Sequence, residues 1–551
     1  MENKKTVRWV FRTLKRFIPA VITVSLLGAL ISFSTIALIL VSSKIMNNAQ
    51  AGITGNRLYT NIILLAIIIV FQLGANVLNG YLRTRLSGRI NMYLKERLFS
   101  SLILKEYSHL SKLHSGEIVN RFTSDVEVVT NGFSGIIPST VSIFTKLITG
   151  IGAVLMLDPL VALIIVLIGF IFPLLGRLIS NKYKFMHKEV QRTNGVVRSF
   201  LQESVQNIVV IKTFQANAPI KQKLGTYLLD NFRIKIKRGI VSVLTHTGLY
   251  GTFSLGYYGV LIWGALGIAS GTVQYGTLFA FLELVAQLRN PLQSVSGLLP
   301  QYYSTLASAE RLIELEKLPD EAMPTSEKAS NIYEKLISIK CNSLSFGYDE
   351  RNVIDNADFE IEKGSICAIM GESGKGKSTL FKLLLGLYTP KSGELFLKLS
   401  DDKLKLDASL RGLFSYVPQG DLVLSGTIRE NITLLSGEVS EEAIEKAAKQ
   451  AVIYDYISTL PDGFDTVIGE HGLGLSEGQL QRIAIARALL TGAPILLLDE
   501  CTSALDIDTE RQLLENLKKE SDRTVILITH RTAALDICDT VLTVENGKIK
   551  R

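Results

Sequence analysis

Cysteine is scarce in these 551 residues: Cys341, Cys367, Cys501 and Cys538 make up the whole complement. None stands in Cys-x-x-Cys spacing and none has histidines placed to complete a tetrahedral set, so a structural zinc site is set aside. A secreted-type disulfide framework is set aside too, because the phosphate chemistry read below belongs to the reducing cytosol. The four read as buried thiols. Cys501 is the one whose reactivity merits a test, since it adjoins a candidate catalytic carboxylate. A nucleic-acid partner is also not expected despite the net charge of +8. Lys and Arg gather beside apolar runs, where they face anionic lipid and set topology.

Those apolar runs dominate the first three hundred residues. A helix needs about 20 mostly apolar residues to cross roughly 30 Å of hydrocarbon. Six stretches qualify: Ile18–Val41, Leu58–Leu82, Ile136–Leu157, Leu160–Ile179, Val241–Ala269 and Tyr275–Leu299. The first follows a basic segment, yet it is longer than a signal-peptide core and lacks a small-x-small cleavage site, so it reads as a span. Lys4, Lys5, Arg8, Arg12, Lys15 and Arg16 precede it and place the N-terminus in the cytosol. Charge is nearly missing from Asp158-Pro159 and Ser270–Gln274, whereas the long connections Arg83–Gly135 and Ser180–Ile240 are rich in Lys and Arg. An even number of spans returns the C-terminal half to the cytosol.

The long connections have few breakers and mix charge with apolar residues at helical spacing. Leu82–Ser108 and Lys182–Gly225 therefore read as membrane helices continuing into the cytosol. Turns near Leu110–Glu117 and Phe214–Ile220 would be their tips, and docking sites for the soluble half. Within the spans, Lys146, Glu283 and Arg289 are ionisable groups in a costly place. They line a substrate path, or pair internally (Glu283 with Lys146) while Arg289 snorkels. Tyr257, Tyr258 and Trp263 read as packing or interface residues.

After a charged linker with Pro319 and Pro324, short apolar strands alternate with helices from about Tyr333. Strand-like Ser365–Met370 runs into Gly371-Glu-Ser373-Gly374-Lys375-Gly376-Lys377-Ser378-Thr379, and helical Leu380–Leu387 follows. This is G-x-x-x-x-G-K-[ST] in its strand–loop–helix setting. Backbone N–H groups and the helix N-terminus cradle phosphate, Lys377 reaches the β/γ-phosphates, and Ser378 offers a hydroxyl to Mg²⁺. Lys375 adds a second positive charge. Ile495–Glu500 is a buried strand ending in two acids, of which Asp499 would hold the Mg²⁺ shell and Glu500 would be the general base. His530 follows the strand Val525–Thr529 at the same end of the sheet and is read as a γ-phosphate contact.

This order of motifs resembles the ATP-binding cassette (ABC) transporters, in particular the exporter-type half-transporters, over nearly the whole chain. Leu475-Ser476-Glu477-Gly478-Gln479 looks like the family signature, which acts on a partner's ATP. Gln419, in Tyr-Val-Pro-Gln, looks like the Q-loop glutamine that senses Mg²⁺ and the membrane domain. Ser503-Ala-Leu-Asp506 resembles the D-loop and Thr529-His530-Arg531 the switch, while Tyr348 sits where the family stacks an aromatic on adenine. Thr466-Val-Ile-Gly-Glu470-His-Gly472 looks like the exporter X-loop. Ser115-Gly116-Glu117-Ile-Val-Asn-Arg121-Phe-Thr-Ser-Asp125 resembles the first exporter hairpin. Glu477 departs from the pattern, which has glycine there; the γ-phosphate contacts are expected from Ser476 and the Gly478 backbone, so activity is expected to survive the acid.

The resemblance implies a multidomain chain: an all-α six-helix transmembrane domain (1–315), a linker (316–332) and an α/β P-loop ATPase domain (333–551). It implies ATP and Mg²⁺, a homodimer with two competent sites or a heterodimer, and residence in the cytoplasmic membrane with N-terminus and ATPase domain cytosolic. The expected activity is export of an amphiphile, drug or peptide. A lipid flippase, an importer of exporter architecture, and a membrane-anchored regulator or ATP-gated channel remain alternatives. The chain as given carries no peptidase-like segment before the first span, which argues against leader-peptide processing but not against peptide export.

Overall fold

The computed structural model describes residues 2–53, 55–159, 163, 185, 186, 188–372, 374–420, 423–434, 439–469, 474–519, 522–545 and 547–550. Its contacts fall into two units: Met1–Phe99 with Gly116–Glu316, and Ser100–Ser115 with Lys317–Arg551. The hairpin tip thus belongs with the C-terminal unit, although in sequence it interrupts the helical one.

The first unit is helical. Among the described residues, Lys15–Gln50, Asn56–Ile103 and Ser115–Leu157 are long and apolar enough to cross a membrane. They contain the first three expected spans. The fourth, Leu160–Ile179, lies outside the described residues but for Leu163. The last two fall within the helices Asn217–Ala269 and Tyr275–Glu316, of 53 and 42 residues. At 1.5 Å per residue such helices exceed about 60 Å and outrun a bilayer's hydrocarbon, as the charged connections anticipate.

Small residues let these helices close up. A Cβ on Gly132 would fall 2.0 Å from Thr305 Oγ1, and one on Gly276 would fall 2.1 Å from the Ser43 carbonyl. Ser32 and Ser142 join two helices through a 2.8 Å hydroxyl contact. The outward faces stay apolar: Leu26, Phe33, Ile63, Val70 and Val77 are all exposed, an area only lipid or another chain can cover. Near Glu316 the packing turns ionic. Asp125, almost fully buried, accepts from Arg311 Nη2 at 2.5 Å and Nε at 2.9 Å, and from Ser308 at 2.9 Å.

The second unit is built on strands β1 Leu336–Phe346, β2 Ile354–Glu362, β3 Ile366–Gly371, β4 Ser392–Leu399, β5 Lys403–Lys405, β6 Phe414–Val417, β7 Gly426–Thr427, β8 Val467–Ile468, β9 Ile495–Asp499, β10 Thr524–Ile528, β11 Thr540–Glu545 and β12 Lys548–Lys550. They form a four-stranded sheet in the order β2-β1-β4-β5, a six-stranded sheet β12-β11-β3-β10-β9-β6, and the pair β7-β8. In the six-stranded sheet all pairings are parallel except the β11–β12 edge. A parallel sheet is covered on both faces, which explains why every residue of Ile-Leu-Leu-Leu-Asp and Thr-Val-Ile-Leu-Ile is buried. The strands begin at Leu336 rather than near Tyr333. Residues Ala329–Lys335 form a helix that drops Ile332 and Tyr333 into the core, with the Tyr333 hydroxyl 3.0 Å from Thr524 Oγ1.

The hairpin tip is stitched to this unit. Glu106 N–H donates to the Pro319 carbonyl (2.9 Å), Glu321 N–H to the Leu104 carbonyl (2.8 Å), and the buried Lys105 ammonium to Asp320 (2.6 Å). Arg411 then holds Glu321 through two bonds of 2.8 and 3.1 Å.

Candidate active site

Three neighbouring strands, β9, β10 and β3, end side by side: Ile528 pairs with Asp499 on one flank and Ile369 on the other. In open parallel sheets ligands bind beyond such carboxyl ends. The chain leaves β3 at Gly371 (φ +147°), where a Cβ would sit 2.5 Å from the Val544 carbonyl. It enters the helix Lys377–Leu384 through Gly376 (φ +103°), where a Cβ would sit 2.8 Å from Val353. Glycine is required at both points. Lys377 is buried, and its ammonium donates to the carbonyls of Gly371 (2.7 Å) and Glu372 (3.1 Å), so its charge is held within the loop. Lys375 pairs with Glu372 at the surface. Ser373 lies outside the described residues.

Ser378 Oγ donates to Asp499 Oδ1 at 3.2 Å, and the Tyr416 hydroxyl donates to Oδ2 at 3.3 Å. Burial pushes the Asp499 carboxyl above the usual range and the Glu500 charge pushes the same way; the two hydroxyls and Lys377 pull it down. Glu500 has φ +50°, an unusual backbone state for a residue with a Cβ, and its N–H is tied to the Ile528 carbonyl at 3.1 Å. Gln419 Nε2 donates to Glu500 Oε2 at 2.7 Å and His530 Nε2 lies 3.3 Å from Oε1. An acid, an amide and an imidazole thus converge beside the phosphate loop. Cys501 is buried and its thiol is pushed up to about 12, chiefly by burial, so it is no nucleophile near neutral pH.

The donors fit a nucleotide with Mg²⁺. Ser378 and Asp499 offer hard oxygens, while the described residues hold no cluster of three or more His, Cys, Asp or Glu that would make an all-protein metal cage. Mg²⁺ characteristically takes one or two protein oxygens and completes its shell with water and phosphate.

The remaining motifs are placed as follows. Ser476 caps the helix Glu477–Leu490: its Oγ accepts from Gln479 N–H, and Gln479 Oε1 accepts from Ser476 N–H at 2.7 Å. Leu475 is half-buried at the start of this turn, and Glu477 is exposed in the first helical turn, where the helix dipole favours an acid. A Cβ on Gly478 would lie 2.8 Å from the Ala504 carbonyl, so glycine permits the approach of the segment Ser503–Asp506. Gln481 fastens that segment through Ser503 Oγ (3.2 Å) and Ala504 N–H (3.3 Å). Asp506 accepts from Thr509 N–H at 2.9 Å, which holds its carboxyl below the usual range. Arg531 donates to the carbonyls of Ser503 and Leu505 and to the buried Glu510. Tyr348 reaches Thr379 Oγ1 at 3.1 Å. Glu470 lies outside the described residues.

Sequence reasoning missed Tyr416, Gln481 and the Arg531–Glu510 clamp. Tyr416 sits three residues before Gln419 and could have been flagged by that spacing. Glu510 gives no signal, for it reads as one more acid on an amphipathic helix. Lys146, Glu283 and Arg289 are each half-buried in the helical unit, and among the described residues no ion pair joins Glu283 to Lys146. The Arg289 guanidinium lies over the Tyr250 ring at 4.8 Å.

A P-loop ATPase fused to a bundle of membrane-length helices is the class these features define. The model of the ABC transporter transmembrane region matches residues 21–292, and the ABC transporter model matches 354–503. The chain is 30% identical over 503 residues to the ATP-dependent lipid A-core flippase of Pasteurella multocida (strain Pm70), covering 88% of this chain and 84% of that protein. It is 32% identical over 505 residues to a leukotoxin translocation ATP-binding protein of a Pasteurella haemolytica-like species (strain 5943B), covering 88% and 68%. The solved structure of a bacterial Atm1-family ABC exporter with ATP bound shares the fold with a TM-score of 0.79 at 24% identity, over 98% of this chain and 95% of that one. The chain belongs to the ABC transporters, as an exporter-type half-transporter with a helical transmembrane domain followed by a cassette ATPase. Its ATPase is coupled to transport across a membrane.

Proposed function

We propose that two copies of this chain clamp two ATP molecules, each between the P-loop of one copy and the Ser476 signature of the other, and use the closure to export an amphiphilic compound, drug or peptide from the cytoplasm. The observation that carries the reading is the Gln419–Glu500–His530 cluster set beside Asp499 at the ends of β9 and β10. Lys377 exchanges its two carbonyl partners for phosphate, while Gly374, Gly376 and Thr379 shape the cradle. Tyr348 stacks on adenine. Ser378, Asp499 and Gln419 hold Mg²⁺, which when bound neutralises charge on the phosphate oxygens. Glu500 orients the attacking water and takes its proton, and His530 and Gln419 fix the carboxylate in place. Ser476 and Gly478 serve the partner's nucleotide, with Ser503 and Asp506 beside them.

The cytoplasmic membrane, with N-terminus and cassette in the cytosol, follows from the basic residues flanking the first span. A lipid flippase is the second reading, favoured by the similarity to a lipid A-core flippase. Glu500→Gln in proteoliposomes tests the chemistry: turnover falls by about 10²–10⁴-fold while ATP still binds. Normal turnover in that variant would remove Glu500 from the role of base. Flux of matched drugs, peptides and labelled lipids through the unaltered protein separates the cargoes. Hydrolysis without flux would turn the reading toward a membrane-anchored regulator.

A further inference from the structure

Residues 100–115 pack with the cassette, and one side chain carries their contact into the ATP site. Tyr388 lies just beyond the P-loop helix, half-buried against the core that includes Phe346, Leu380 and Leu384. Its hydroxyl donates to Ser111 Oγ at 3.0 Å. Its ring meets Tyr107 edge-on, with centroids 5.7 Å apart at 85°. The short helix Tyr107–Leu110 and the turn after it therefore grip Tyr388 at two points four residues apart. On its other side Tyr388 touches Tyr348, centroids 5.3 Å apart at 86°, and both rings share Phe346 at 5.4 and 5.2 Å. Tyr348 ends the line on Thr379 Oγ1, in the first turn of the P-loop helix.

Tyr348 has little else to fix it. It is 46% exposed on a bend that follows β1, and its ring is placed by these aromatic neighbours, one hydroxyl contact and the Lys382 ammonium 6.0 Å from its centroid. Edge-to-face rings prefer particular angles, so a shift of Tyr388 turns Tyr348 as well. We propose that Tyr388 is a positioning residue for ATP: it sets the Tyr348 ring for adenine and makes nucleotide affinity depend on where the hairpin 100–115 sits. The proposal rests on reading Tyr348 as the adenine-stacking residue. Linkage is reciprocal, so bound adenine holds the hairpin as firmly as the hairpin holds the ring. A merely structural cluster behaves differently. It lowers stability when cut but leaves affinity untouched when the cut is made at Tyr107, whose ring contact among the described residues is with Tyr388.

The test uses full-length protein in nanodiscs on an E500Q background, with equilibrium binding of radiolabelled MgATP. Y348L, Y388L and Y107L should each weaken binding, Y107L by about 2- to 10-fold, the worth of one aromatic pair. Y107F keeps the ring and should bind as the parent does. Y107L added to Y388L should cost nothing further. With Glu500 restored, Y107L should raise KM for ATP and leave kcat unchanged. If Y107L binds ATP normally while Y348L is weakened, the relay is wrong and the adenine reading stands. If Y348L itself binds normally, the adenine reading falls and the relay with it. Tyr107 is 38% exposed, so its variants remain informative even where Y388L fails to fold.

Discussion

Asp499 stands at the end of β9 with 1% of its surface exposed, beside a second acid, and its carboxyl sits above the usual range mainly because burial strips its water. A carboxyl raised in the folded chain makes ionisation a cost to the fold. The cost is absent below the ordinary aspartate range, grows as pH rises through it, and levels off above the raised value. Asp499→Asn should therefore raise the apparent unfolding midpoint at neutral pH, in chelator and without nucleotide, by about 2–4 °C, the shift that one kcal/mol makes in a domain of this size. The gain should shrink as pH is lowered through the aspartate range, and turnover should be lost. An unchanged midpoint would mean that the Ser378 and Tyr416 hydroxyls already offset the burial. Asp499, Glu500 and His530 were legible because acids and a histidine at the ends of wholly apolar strands have no packing reason to be there. Tyr416 was not. Its hydroxyl finds Asp499 only through the parallel register that sets it opposite Leu497, and a register between strands some eighty residues apart leaves no local mark.

The same contrast holds among the elements. Long apolar runs announced the helices, and the lack of breakers announced their continuation past the hydrocarbon, so Asn56–Ile103 came out as one helix of 48 residues. What periodicity could not convey is which helix end grips which. The helix Tyr275–Glu316 is held near its C-terminus by Asp125, Trp9 and Arg97, from three segments more than 180 residues away in sequence. The Asp125–Arg311 pair is unequal: its carboxylate side chain is 2% exposed and its guanidinium 45%. Arg311→Ala strands a buried charge with the Ser308 hydroxyl as its remaining hydrogen-bond partner and Arg121 as the remaining nearby cation. It should lower the stability of the full chain by about 2–3 kcal/mol, less than the ~3–5 of a fully buried pair because water already reaches the guanidinium. Asp125→Ala added to Arg311→Ala should recover most of that loss in chemical denaturation followed by tryptophan fluorescence. Lys403→Ala breaks a pair that is 62% and 58% exposed, and should change stability by less than about 0.5 kcal/mol. Equal losses from Arg311→Ala and Lys403→Ala would show that burial does not set the difference.

At the scale of the whole molecule, one copy of the chain carries one P-loop and one signature, and the two do not meet within it. Among the described residues no hydrogen bond or ion pair joins Gly371–Thr379 to Gly474–Gln479, and Ser476 Oγ is engaged only in capping its own helix. A signature serine that closes on phosphate must find that phosphate on another copy, as the dimer proposal requires. The requirement can be read without transport and without knowing the cargo. On the E500Q background, where hydrolysis cannot discharge the site, Lys377→Ala disables the P-loop and Ser476→Arg blocks the signature. Each variant alone forms only broken sites and should retain no ATP on filtration. Mixed before reconstitution, half of the dimers are hybrid, and each hybrid has one intact P-loop facing one intact signature. The mixture should then retain about a quarter of the ATP held by E500Q alone, as expected for random pairing about a two-fold axis. If Ser476→Arg alone retains ATP as E500Q does, the signature acts on no nucleotide and the dimeric sandwich is wrong. If the mixture retains none, each copy works within itself or the copies do not exchange, and premixing the two chains by co-expression with separate tags decides between those outcomes.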